Sequence, residues 1–171
     1  MDTRATKIVV CGEVSHRHEA DDHLRGPGTA VLVRRGPLRS IVIACPDGCG
    51  GVLTINLDAR AGPAWHLYVD GRGTSLFPSI WRDNGCRSHF IVWRSRIFWC
   101  DNRADVLDTV DTEVVKRVRS SLTTMFKSYI SIAQSLDIVP WAALVACNQL
   151  VRSGAAIAGE GIKNGEFKTF E

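Results

Sequence analysis

The chain has 171 residues, 45% apolar and 23% charged, with a net charge of +3. This is an ordinary globular composition, long enough to bury a core without disulfides, so a disordered chain and a disulfide scaffold are both excluded. The charge is mild, and no Lys/Arg run is long enough to track phosphates. No stretch reaches the ~18 apolar residues of a membrane span. We therefore expect neither nucleic acid nor membrane as a partner.

Met1–Lys7 is followed by only four apolar residues, Ile8 to Cys11, too few for a secretory core. A cytoplasmic location is expected. Thiols stay reduced there, and clustered cysteines read as metal ligands rather than disulfides. Residues 1–27 form a polar leader. It carries Ser15-His16-Arg17-His18-Glu19-Ala20-Asp21-Asp22-His23, dense in ligand-type side chains but without periodicity, and it reads as a solvated loop.

Strand signals begin at Thr29. Ala30–Val33 and Ser40–Ala44 flank the turn Arg34-Arg35-Gly36-Pro37 and predict a hairpin. Gly51–Leu57 alternates. Trp65–Val69 follows, then the short Ser75-Leu76-Phe77, ending at Pro78. His89–Trp93 and Arg96–Cys100 form a last hairpin. Residues 28–110 are thus expected to be an antiparallel β domain. From Asp111 or Thr112 the apolar period lengthens to three and four, through Val115, Val118, Leu122, Met125, Tyr129, Ala133 and Leu136, predicting one amphipathic helix. Pro140 opens a second helix and Gly154 closes it. Residues 111–157 should be helical and packed on the sheet, and the glycine-rich tail 158–171 mobile. The fold class is α+β.

Cys45-Pro46-Asp47-Gly48-Cys49 places two thiols around a glycine turn just after a strand. Cys86-Arg87-Ser88-His89 places a second pair after the turn Asn84-Gly85, as another strand begins. Two such pairs at strand ends can share one tetrahedral Zn2+. A two-residue turn at Arg94-Ser95 would set His89 opposite Cys100, so Cys100 competes with His89 for the fourth position. Four protein ligands would make the zinc structural. One fewer would leave room for a catalytic water. Cys11 and Cys147 read as core thiols.

Cys-Pro-Asp-Gly-Cys-Gly (45–50), Trp65, Pro78-Ser79-Ile80-Trp81 and Gly85-Cys86-Arg87-Ser88-His89-Phe90 resemble the bacterial domain-of-unknown-function 6527 family over about residues 28–155. The resemblance implies a small zinc-binding protein encoded beside ubiquitin-like proteins and their conjugation enzymes. It implies a candidate peptidase for the ubiquitin-like partner. On that reading Ser79 and Ser88 are the candidate nucleophiles. Ser88 and His89 cannot pair with each other as strand neighbours, because adjacent side chains point to opposite faces. The base is then His66, or His89 acting on Ser79. Asp47 and Asp83 are candidate bases for a zinc-bound water. The competing class is a non-catalytic zinc-stapled binding module, an accessory factor in the same pathway. Tryptophan would anchor its partner, with Trp81 the best exposed of the five and Trp65, Trp93 and Trp99 in the core.

Overall fold

The computed structural model describes residues 4–101 and 107–170. The chain divides into two units, residues 1–105 and 106–171. The fold class is α+β, as the change of period predicted.

The first unit holds two four-stranded sheets. One is ordered β1 (Val9–Val14), β2 (Thr29–Arg34), β3 (Leu38–Ala44), β4 (Val52–Asn56). The other is ordered β5 (His66–Asp70), β6 (Gly73–Trp81), β7 (His89–Trp93), β8 (Arg96–Trp99). Ile41, Ile43 and Ile55 of the first sheet share one apolar core with Leu76, Ile80, Phe90 and Trp99 of the second. Trp93 and Trp99 are buried, as expected for core tryptophans, and Trp65 is half-buried.

The leader is not the solvated loop its polarity suggested. Val9–Val14 pairs in parallel with β2, with a bulge between Val10 and Gly12. A parallel neighbour needs a long crossover. Residues 15–28 provide it, folding Arg17–His23 into a 3-10 helix. Ala20 on that helix has no exposed surface and packs on Val31, Val33 and Val42. This explains the unbroken apolar runs of β2 and β3: both of their faces are covered. All other strand pairs of this unit are antiparallel.

The last hairpin has the predicted register. Trp93 opposes Arg96, and Cys100 N–H donates to the His89 carbonyl at 2.9 Å. Arg94 and Ser95 both have positive φ, as a two-residue hairpin turn requires. The Arg94 guanidinium lies 4.4 Å from the Trp93 ring centroid, and Ser95 Oγ accepts from Thr74 N–H at 2.9 Å. Those contacts support two non-glycine residues there.

The second unit contains α1 (Thr112–Ser121), α2 (Tyr129–Leu136) and α3 (Pro140–Arg152). The single helix expected through Leu136 is two. Thr123 Oγ1 accepts from Met125 N–H, a local bond that competes with the helix ladder. Ser128 then starts α2 by accepting from Ser131 N–H at 3.1 Å. Helix α3 matches expectation. Pro140 occupies its first turn, and Gly154, at φ 74°, donates to Val151 O while Ala155 N–H donates to Leu150 O. The tail forms a small sheet rather than a loose end. β9 (Lys127–Ser128), β10 (Ile157–Ala158) and β11 (Glu166–Lys168) pair antiparallel, anchored by Phe167 at 3% exposure. Among the described residues no single helix is long and apolar enough to cross a membrane.

Candidate functional site

Two loops meet at the thiols. The first, Cys45–Gly51, joins β3 to β4 and is closed by Cys45 N–H on Gly51 O at 2.8 Å. Gly48 and Gly50 both adopt positive φ, which lets this short loop reverse with Cys49 on it. The second, Arg82–Ser88, joins β6 to β7 and is closed by Arg82 N–H on Ser88 O at 2.9 Å. The Sγ atoms of Cys45, Cys49 and Cys86 all lie within 4.8 Å of one another, and Cys45 and Cys86 are 3.6 Å apart. Thiolates at ~2.3 Å from one tetrahedral zinc sit ~3.8 Å from each other, so this trio fits a soft metal ion.

The surroundings of the trio are built for anionic sulfur. Burial pushes the Cys45 thiol up. At Cys86 burial acts the same way, but the Ser88 hydroxyl and N–H, with the other two thiols, outweigh it and bring the group down to about 7. Ser88 Oγ is 3.4 Å from Cys86 Sγ and 3.7 Å from Cys45 Sγ. Arg82 Nη1 is 3.2 Å from Cys49 Sγ and 3.8 Å from Cys86 Sγ. The guanidinium reaches them by lying against Gly51, where any Cβ would collide with it. Composition gave no hint of Arg82; the signal was the pair of glycines, at 51 and 85, flanking the cysteine motifs.

His89, expected as the fourth ligand, is not brought to the thiols. Ser88 faces them, and adjacent side chains of an extended chain point to opposite faces. His89 therefore points the other way, and its Nε2 lies 3.0 Å from Ser79 Oγ. Cys100, the rival ligand, is also outside the trio; its Sγ lies 3.9 Å from the Phe98 carbonyl. Among the described residues no fourth ligand-type side chain joins the three thiols, and none of the leader's histidines or carboxylates forms a metal-holding group.

Ser79 itself lies on β6 and not in a loop after a strand ending at Pro78. Leu76 opposes Val92 and Ile80 opposes Phe90, so three residues of β6, Phe77 to Ser79, stand opposite Ile91 alone. Proline in a strand marks such a bulge, and bulges re-aim side chains beside active sites. Ser79 and His89 are half-buried. Trp81 follows two residues on, 70% exposed, its ring 6.0 Å from the His89 ring.

The remaining candidates lie elsewhere. Ser88 is 4% exposed against the thiols, with no histidine as partner. His66 is exposed on β5 opposite Phe77, and no hydrogen bond joins it to Ser79. Asp47 pairs with Arg4 at 2.9 Å, and Asp83 is exposed in the second loop. Cys11 is exposed on β1, contrary to a core reading. Cys147 is the core thiol it was expected to be, pushed up to about 12 by burial.

A serine hydroxyl thus stands at hydrogen-bond distance from a histidine ring nitrogen, on a β unit whose loops converge on three thiols. Residues 16–100 match the family model described as bacterial ubiquitination-like system serine protease (BubE). That span includes Ser79, His89, Arg82 and all three clustered cysteines. It carries the association with a ubiquitin-like system that the resemblance implied. No curated protein and no solved structure matches the chain.

Proposed function

We propose that the chain is a serine peptidase of a bacterial ubiquitination-like system. In this reading Ser79 is the nucleophile, His89 its base, and Cys45, Cys49 and Cys86 hold a zinc ion. The observation that carries it is the 3.0 Å contact between Ser79 Oγ and His89 Nε2, within a matched family of serine proteases.

The chemistry follows from that contact. His89 must be neutral, with its proton on Nδ1, so that Nε2 can accept from Ser79 Oγ. Ser79 Oγ attacks the scissile carbonyl carbon as its proton passes to Nε2. The carbon–nitrogen or carbon–oxygen bond to the leaving group then breaks, and His89 returns the proton to the departing amine or alcohol. Water repeats the cycle on the acyl ester, with His89 again taking the proton, and releases the carboxylate and free Ser79. Among the described residues no carboxylate hydrogen-bonds His89.

Three thiolates supply charge and geometry for zinc, and bound zinc would tie the β3–β4 loop to the β6–β7 loop. Residues 82–88 lead directly from the strand of Ser79 to the strand of His89. Zinc would therefore act on the dyad through the loop that sets its spacing. Ser88 and Arg82 donate to the thiolates, a role in which such neighbours tune metal affinity. The substrate class is the peptide or ester linkage at the C-terminus of the ubiquitin-like protein. The reducing cytoplasm suits three free thiols, and we place the protein there.

The test is cleavage of a fusion of the system's ubiquitin-like protein to a reporter, read by mass. Ser79→Ala and His89→Ala should each abolish cleavage while retaining zinc and fold. Ser88→Ala should retain cleavage. A Ser79→Ala protein that cleaves like the parent overturns the assignment. A parent that binds the ubiquitin-like protein but cleaves nothing would establish the binding module instead, for which the exposed Trp81 is the specific support.

A further inference from the structure

We propose that the open backbone edge of β6 at Ser79–Trp81 receives the substrate as an added β-strand, with the N–H groups of Ser79 and Trp81 as donors and the Trp81 ring as its platform. This rests on the reading of Ser79 as nucleophile and names how the same site recognises its substrate.

The argument starts from strand parity. Arg82 N–H bonds to Ser88 O across β7, and Ile80 opposes Phe90 on the same side. In an antiparallel strand, alternate residues send their N–H and C=O to opposite edges. The backbone groups of Ser79 and Trp81 therefore face away from β7, toward β5. But β5 has ended by then: its pairing with β6 stops at His66 opposite Phe77. The residue before it, Trp65, leaves for the other sheet, with its N–H on Asn56 O at 2.8 Å. Among the described residues no strand pairs with this edge of β6 beyond Phe77.

This unpaired edge is selective in what it offers. Trp65 Nε1 caps the Ser79 carbonyl at 3.4 Å. Among the described residues no partner takes the N–H of Ser79 or of Trp81. Two donors thus stand bare, two residues apart on one edge, while the acceptor between them is capped. Such an edge attracts carbonyl oxygens, and an extended peptide presents carbonyls at that spacing. The first donor belongs to the nucleophile itself. A carbonyl oxygen on Ser79 N–H places its carbon beside Ser79 Oγ, and that N–H then faces the oxygen where negative charge develops.

Trp81 supplies the side-chain contact. It shares the strand parity of Ser79, so both stand on the face of the sheet that carries His89. At 70% exposure its ring is the largest uncovered apolar side chain of β6. Its place next to His89 sets it under the substrate residues that flank the scissile bond. The occupant is an extended peptide segment whose carbonyls meet the two donors. On the proposed function, that segment is the C-terminal tail of the ubiquitin-like protein.

The experiment separates binding from hydrolysis. The full-length Ser79→Ala protein keeps the N–H of residue 79 and loses the hydroxyl. Its affinity is measured by fluorescence anisotropy for a dye-labelled peptide of the ten C-terminal residues of the system's ubiquitin-like protein. A second series replaces one backbone carbonyl with a methylene (a reduced amide) at each successive position. Strand addition predicts that affinity falls about fivefold or more at two positions, two residues apart, whose carbonyls meet the N–H groups of Ser79 and Trp81. Adding Trp81→Ala should raise Kd about tenfold, and Trp81→Phe should restore most of it. In the Ser79 parent, Trp81→Ala should raise KM with kcat nearly unchanged. A reduced-amide series without two such positions, a Trp81→Ala variant within twofold of its parent, or a Ser79→Ala protein that binds no peptide each overturns the proposal. Failure of the nucleophile assignment is a different result: Ser79→Ala would then cleave normally, whatever the peptide series shows.

Discussion

Removing zinc from the first unit tests how far its fold depends on metal. Cys45 is 2% exposed at the end of β3, and its thiol is one of the three that converge among the described residues. Cys45→Ala should lose the zinc outright, since two thiols from two different loops cannot hold it. The β sandwich should nevertheless survive. Its core of Ile41, Ile43, Leu76, Phe90 and Val92 is almost fully buried, and both thiol loops are closed by their own backbone bonds. Each such side chain contributes roughly 1.5–3 kcal/mol by burial alone. Bound zinc would therefore add to stability rather than create it, unlike in a zinc finger, which is unfolded without metal. With free zinc a thousandfold above Kd, binding contributes about 4 kcal/mol. In a unit of this size that corresponds to a fall in Tm of roughly 15–30 °C on chelation. Differential scanning calorimetry with and without chelator, paired with elemental analysis, measures both sides. One zinc per chain is expected in the parent and in Cys147→Ser, and none in Cys45→Ala. A parent that carries no zinc, or zinc whose removal leaves Tm unchanged, refutes the reasoning. Complete unfolding on chelation would refute the claim of a self-sufficient core.

Three further outcomes follow from other parts of the molecule. Ala20→Asp puts a charge into a site with no solvent exposure, and should cost about 2–4 kcal/mol and free residues 15–28 to exchange their amide hydrogens. Asp58 is held far below the usual carboxylate range by Arg60 first and by Arg39. Its folded-state value is depressed, so its stabilisation is complete above the unfolded value near 4 and is lost as pH falls below that; Asp58→Asn should remove this part of the acid sensitivity of Tm. Arg82→Lys loses the planar fork beside Cys49 and Cys86, and competition with a chelating dye should show zinc affinity about tenfold weaker.

The thiol trio was legible in the sequence because its two motifs sit at strand ends, where turn chemistry fixes the loops. The fourth member is harder to read: Cys86-x-x-His89 has ligand spacing, but ligand spacing assumes both side chains leave the same face. Once Ser88 turns toward the sulfurs, alternation sends His89 away from them and onto Ser79. The same alternation was known for the pair Ser88 and His89, yet the consequence for zinc depended on which of the two faces the metal, and no local pattern decides that. Pro78 suggested the end of a strand, whereas the bulge it marks is what carries Ser79 within reach of β7. The leader failed for a different reason. Among its described residues only Ile8 and Ala20 are buried, too few and too far apart to show a period, and only the doubly apolar runs of β2 and β3 hinted that something must cover them. The helical region was read correctly in period but not in continuity, because the break at Thr123 comes from a side-chain hydrogen bond rather than from glycine or proline.

The central claim is that Ser79 is the nucleophile and His89 its base. The most direct measurement is covalent trapping: the full chain is treated with a fluorophosphonate, and the adduct is counted by intact mass and placed by peptide mapping. The account predicts one adduct per chain on Ser79, abolished in Ser79→Ala, slowed about a hundredfold or more in His89→Ala, and unchanged in Ser88→Ala. An adduct on Ser88, or labelling of Ser79 that is indifferent to His89, would contradict it.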